Sequence, residues 1–178
     1  MKSFRRLATP ALVAGVVLLA GCSAGTEAPQ RPTPEAFRQS LVEHVASKPE
    51  DGRSWVLLAR HDFERERFKE AAEEFEKALL NAKVARDPGV WCEHAEATAL
   101  VQGGKLEGKP AASISRALAI QTNHPRALEM AGSLAVERKD YAEAARRWNE
   151  LLVQLPAQSE ERAQLMVAIR RVEMQLPR

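Results

Sequence analysis

Cysteine is scarce in this chain, with only Cys22 and Cys92 among 178 residues. No Cys-x-x-Cys can be written from them, which excludes a paired redox site, a zinc ribbon and a haem-attachment motif. Tyrosine occurs once and aromatics make up 5% of the residues, so a core must be filled mainly by alanine and leucine. An excess of one charge is missing too: 26 Lys and Arg face 24 Asp and Glu, a formal +2. Lys2, Arg5 and Arg6 are the only charges before Cys22, and without them 23 bases face 24 acids. No basic run or basic–aromatic interleaving lies beyond that point, which argues against nucleic acid as a partner. His44, His61, His94 and His124 are scattered. Cys92 and His94, two residues apart, would point about 200° apart on a helix. With no paired carboxylates, triad or ligand cluster, the sequence predicts no catalytic residue, no metal site and no cofactor.

What is present begins with a leader. Lys2, Arg5 and Arg6 precede an apolar stretch from Ala11 to Ala20, then small residues and a cysteine. That order is the pattern of an export signal, and the stretch is too short for a membrane span. Leu19-Ala20-Gly21-Cys22 resembles the lipobox of bacterial lipoproteins. The resemblance implies cleavage after residue 21, leaving Cys22 acylated as the first residue and holding the chain on the periplasmic face of a membrane. Acyl chains at about 0.8 kcal/mol per buried methylene make release negligible. Ser23, where an inner-membrane lipoprotein would carry Asp, favours the outer membrane. The competing reading is an ordinary secretory peptide in which Cys22 is incidental. Residues 22–33 are small, polar and broken by proline, the composition of a solvated tether.

The rest of the chain repeats. Shifted by 73 residues against itself, the sequence puts Glu64 on Glu137, Arg65 on Arg138, Glu70 on Glu143, Ala71 on Ala144, Ala72 on Ala145 and Leu79 on Leu152. Ala59 falls on Gly132, Phe68 on Tyr141 and Phe75 on Trp148 in the same register. The shift is two 34-residue units with five residues added, and Ile114, Ala117 and Leu118 lie 34 before Trp148, Leu151 and Leu152. Small residues where two helices touch and large ones where the next pair stacks are what a helical hairpin array needs. These positions resemble the tetratricopeptide signature over 51–156. The implied fold is all-α, a right-handed tetratricopeptide superhelix of about three helix-turn-helix units. A flanking helix is expected at each end, Pro34–Ser47 within 34–50 and Ser159 to about Gln175 within 157–178, capping the open faces. The middle unit departs from the pattern around Arg86-Asp87 and in the long turn from Gln102 to Pro110. Gly104-Lys105-Leu106 in that turn lacks the Gly-Lys-Ser/Thr of a phosphate-binding loop, so an elongated turn is expected.

A superhelical array presents its first-of-pair helices on a concave face. Counted on the signature, that face carries Arg53, Val56, Arg60 and Phe63, then Cys92, Glu96, Ala99 and Leu100, then Arg126, Glu129, Ser133 and Val136. Apolar residues among arginines suit a peptide with apolar anchors and a carboxylate. Cys92, the one thiol left once Cys22 is acylated, is expected chiefly as a small buried residue even though the count puts it on the concave face.

Longer strings carry a closer resemblance. Lys48-Pro49-Glu50-Asp51-Gly52-Arg53-Ser54-Trp55, the Gln102–Ala111 turn and Asn123-His124-Pro125-Arg126-Ala127-Leu128 are similar to the periplasmic repeat domain of the cytochrome c biogenesis proteins CcmI (CycH) and NrfG. The resemblance covers about residues 40–175 and implies a protein-binding module that holds apocytochrome c, with haem-lyase subunits as further partners. Two features depart from it: a lipid anchor in place of membrane-spanning helices, and Asp62 where the first repeat usually has Tyr. The alternative is a scaffold lipoprotein for envelope, pilus or secretion assembly, since fold does not settle function.

Overall fold

The computed structural model describes residues 33–177. The leader, Cys22 and most of the tether therefore lie outside the described residues. Eight α-helices account for the described chain, without a strand: α1 Pro34–Ser47, α2 Gly52–Phe63, α3 Phe68–Leu79, α4 Pro88–Val101, α5 Lys109–Ile120, α6 Pro125–Glu137, α7 Tyr141–Leu152 and α8 Glu160–Glu173. A short 3-10 turn, Val84–Arg86, sits between α3 and α4. None of these helices is long and apolar enough to cross a membrane.

Local chemistry sets the ends. Asp51, Asp87, Asp140 and Ser159 accept bonds from the first free amides of α2, α4, α7 and α8, which satisfies donors that a helix start leaves open. Proline opens α1, α4 and α6, where its fixed φ suits the first turn and no amide is lost. The turns between α2 and α3 and between α6 and α7 each hold one left-handed residue, Glu66 at φ 60° and Lys139 at φ 62°, again 73 apart. The longer α4–α5 turn makes its left-handed steps at Gly103, Gly104 and Gly108, where no Cβ opposes them.

Successive helices pack as antiparallel neighbours, α2 on α3, α4 on α5 and α6 on α7, with each pair stacked on the next. In the first member of each pair a small residue marks the crossing. Ala59, Ala95 and Gly132 recur at 36 and 37 residues, and Ala168 of α8 follows 36 later. The second members answer with large residues, Phe75, Ile114 and Trp148. Leu41 of α1 stands 34 before Phe75 and is buried against Leu58. Thus α1 stands in the register of a second-of-pair helix and α8 in that of a first-of-pair helix, and both pack in continuation of the array. The 36- and 37-residue intervals take up the insertions around Arg86-Asp87 and in the Gln102–Pro110 turn. Gly132 is needed because a Cβ there would run into the Trp148 indole.

One part of the interior is charged. Asp62 of α2 is fully buried. Arg38 of α1 donates to it through Nε at 2.8 Å and Nη2 at 2.7 Å, Arg67 Nη2 lies at 3.3 Å, and the His61 ring is 3.1 Å away. Burial alone would raise the Asp62 carboxyl, but the bonds from Arg38 and His61 and the charges of Arg38 and Arg67 hold it below its ordinary value. Glu74 beside it is pushed up to about 7 by burial and by the Asp62 charge, and its Oε2 is buried with no hydrogen-bond partner in the protein. The Asp62 departure noted in the sequence is therefore the socket in which α1 is fixed.

Candidate functional site

Three adjoining depressions run along the first-of-pair helices. The first is lined by Arg53, Val56 and Arg60 of α2 with Lys83, Val84 and Val90. The second joins Arg60 and Phe63 to Glu93 and Glu96 of α4 and Arg126 of α6. The third joins Arg126, Glu129 and Ser133 of α6 to Trp148 and Leu151 of α7 and to Glu161 and Leu165 of α8. Arg60 belongs to the first two and Arg126 to the last two, so the depressions adjoin in a row, a segmented groove with a paired arginine at each boundary.

The groove gathers most of the residues expected on the concave face. Arg53, Arg60, Arg126 and Glu129 are exposed along it, Phe63, Glu96 and Ser133 are half-buried, and Val56 forms floor at 7% exposure. Four expected residues do not line it. Cys92, as its expected role as a small buried residue requires, and Ala99 are buried in α4, which packs against both neighbouring hairpins. Leu100 is exposed outside the groove. The 36-residue spacing puts Ala99, not Leu100, at the position of Phe63, and one step along a helix turns a side chain by about 100°. Val136 also has that position, but its short side chain is taken up by packing with Ala135 and Ala144. The contributions of α8 were missed, although Leu165 lies 73 after Cys92 in the repeat register.

Two of the three expected arginines are tied in ion pairs. Arg60 donates to Glu93 at 3.0 and 3.1 Å, bridging α2 and α4, and Arg126 pairs with Glu96, bridging α6 and α4. Half-exposed pairs of this kind contribute at most about 1 kcal/mol each. Their effect is to orient the guanidinium groups across the repeat boundaries. Carboxylates outnumber cations in the groove lining, and Arg60 and Arg126 already face protein carboxylates, which leaves Arg53 as the expected arginine outside an ion pair among the described residues.

Other chemically suggestive groups lie in the core. His94 Nδ1 is 2.8 Å from Ser113 Oγ, and Glu76 is 3.7 Å from its other nitrogen. The Ser113 and His94 residues are 2% and 5% exposed, and burial holds the imidazole below its ordinary value. The pair satisfies two buried polar groups at the α4–α5 contact, and no depression described above opens on it. Burial pushes the Cys92 thiol up to about 11, so it stays protonated and poorly nucleophilic. Among the described residues, no three His, Cys, Asp or Glu side chains are placed to hold a metal ion.

The model of the family described as the cytochrome c-type biogenesis protein H TPR domain matches residues 26–162. The cytochrome c-type biogenesis protein CycH of Pseudomonas aeruginosa is 28% identical over 137 residues, which cover 77% of this chain and 33% of that protein. The chain thus spans about a third of the length of the curated relative it matches. Among solved structures, Pseudomonas aeruginosa PilF has a TM-score of 0.63 at 14% identity, covering 80% of this chain and 65% of that one. MamA has a TM-score of 0.62 at 10% identity, covering 80% and 88%. The TPR domain of Arabidopsis OM64 has a TM-score of 0.57 at 18% identity, covering 72% and 98%. At these identities the structural likenesses establish the tetratricopeptide fold alone.

Proposed function

We propose, from the premise that this chain belongs to the family of the cytochrome c-type biogenesis protein H TPR domain, that it serves c-type cytochrome assembly as a binding module. It holds a segment of apocytochrome c in the groove along α2, α4, α6 and α8, alongside haem-lyase subunits. The observation that carries this reading is the joining of three depressions through Arg60 and Arg126. A row of adjoining depressions offers successive apolar and polar contacts to an extended or helical peptide, as repeat arrays do. Acylation at Cys22 keeps the module on the periplasmic face of a membrane, with Ser23 favouring the outer one. Binding, not bond-making, is what the groove residues supply.

Site-specific photo-crosslinking in intact envelopes tests the proposal. A crosslinking side chain at Phe63 or Glu129 is expected to capture apocytochrome c or haem-lyase subunits. The same group at exposed Lys69 or Glu73 of α3, off the groove, is expected to capture neither. Capture of pilus or outer-membrane assembly proteins alone from the groove positions would overturn the cytochrome reading in favour of a general envelope scaffold.

A further inference from the structure

The two ends of the groove differ in what they ask of a ligand. At the α2 end, Arg53 and Lys83 stand among Glu50, Asp51 and Asp87, and cations and anions are mixed. At the α8 end the cavity is about 460 Å³ and its floor is apolar, made by Trp148, Leu151, Leu155, Leu165 and Ala168. The Trp148 indole N–H is already spent on the Glu129 carbonyl at 3.3 Å, so this floor offers a hydrophobic seat. Above it stand the carboxylates of Glu129 and Glu161, both exposed and neither in an ion pair among the described residues. The one cation in the lining, Arg126, is tied to Glu96.

We infer that the α6–α7–α8 end of the groove is an anchor pocket for a cationic amphipathic segment, seating an apolar side chain on Trp148, Leu151 and Leu165 while a flanking lysine or arginine meets Glu129 and Glu161. This rests on the reading of the groove as a polypeptide-binding surface and adds the chemistry and direction of what binds. An apolar anchor alone would crowd two carboxylates against hydrocarbon and strip part of their water, which is unfavourable unless a cation replaces it. An acidic segment would meet like charge and be rejected. A bound chain is therefore oriented with its basic, apolar stretch at α8 and its charge-mixed stretch at α2.

The test uses the full chain in detergent and three synthetic helical peptides with the same apolar face, flanked by Lys, Gln or Glu, followed by fluorescence anisotropy. The Lys peptide is expected to bind about tenfold or more tightly than the Glu peptide at low salt, with the Gln peptide between them. Added salt should narrow that difference. Glu129→Gln with Glu161→Gln, both at exposed positions, should bring the three peptides to similar affinity. Leu165→Gln should weaken all three together, with the circular dichroism spectrum showing that α8 is retained. Equal binding of the three peptides to the unaltered chain, or tighter binding of the Glu peptide, would overturn the inference while leaving the groove reading intact. Failure of all three where an apocytochrome segment binds would do the same. Failure of the apocytochrome segment as well would remove both.

Discussion

The first and third hairpins share one backbone plan and fill it with opposite chemistry. In the 73-residue register Phe75 falls on Trp148 and Ala59 on Gly132, while Asp62 falls on Ala135 and Glu74 on Arg147. Asp62 and Ala135 are both buried. Under α1, the first is surrounded by Arg38, Arg67 and His61; beside α8, the second lies in an apolar cluster with Ile169 and Val172. Arg67 corresponds to Asp140. Asp140 caps α7 by accepting from the Glu143 amide at 3.1 Å, whereas α3 has no side-chain cap because Arg67 at that place carries donors only; its guanidinium lies 3.3 Å from Asp62 instead. The lesson is that the array fixes backbone path and side-chain volume at each position, while polarity follows from the neighbouring helix.

The largest break in this comparison comes from giving the first hairpin the third one's residue. Asp62→Ala leaves Arg38 and Arg67 facing a buried gap and is expected to cost about 3–5 kcal/mol in urea unfolding. Adding Arg38→Met should recover part of that loss, with a coupling above about 1 kcal/mol. A single-variant loss below about 0.5 kcal/mol, as at ordinary surface sites, would mean that the two ends are fastened alike.

Next comes pH. Glu74 is pushed up to about 7 from 4.5, so between those values the folded protein binds more protons than the unfolded chain. Stability must then fall as pH rises through that window, by up to about 3 kcal/mol from this group. Burial of His94 acts in the opposite sense in the same range, so the readout is a difference: thermal unfolding from pH 5 to 8 should lose more stability with rising pH in the unaltered chain than in Glu74→Gln. An equal slope in the variant would place the titration elsewhere.

The smallest effect tests the shared crossing. Gly132→Ala places a methyl against the Trp148 indole and should cost about 2 kcal/mol, as overpacking does. Trp148→Phe in the same chain recreates the Ala59–Phe75 pairing and should recover most of it. No recovery would show that the two crossings are not equivalent.

Much of this plan was legible in the sequence because it rests on repetition. The small-to-large pairs pointed to the hairpins, and Pro34 and Ser159 marked helix starts at or next to those observed. Arg53, Arg60, Phe63, Arg126 and Glu129 reach the groove because their register is carried by the helix period. What escaped was interaction across the register. The Arg38–Asp62 bond spans 24 residues and the Arg60–Glu93 bond spans 33, and no local period signals either. Reading α8 as a cap hid Glu161 and Leu165, although Ala95 and Ala168 share one position at the 73-residue shift.

The groove along α2, α4, α6 and α8 is the proposed binding surface. Hydrogen-exchange mass spectrometry of the full chain in detergent, with and without a C-terminal apocytochrome c segment, tests it most directly. Protection is expected in the peptides carrying Arg60, Phe63, Glu96, Arg126, Glu129 and Leu165, with α3 and α5 unchanged. Protection confined to α3 and α5, or none at saturating segment, would contradict the account.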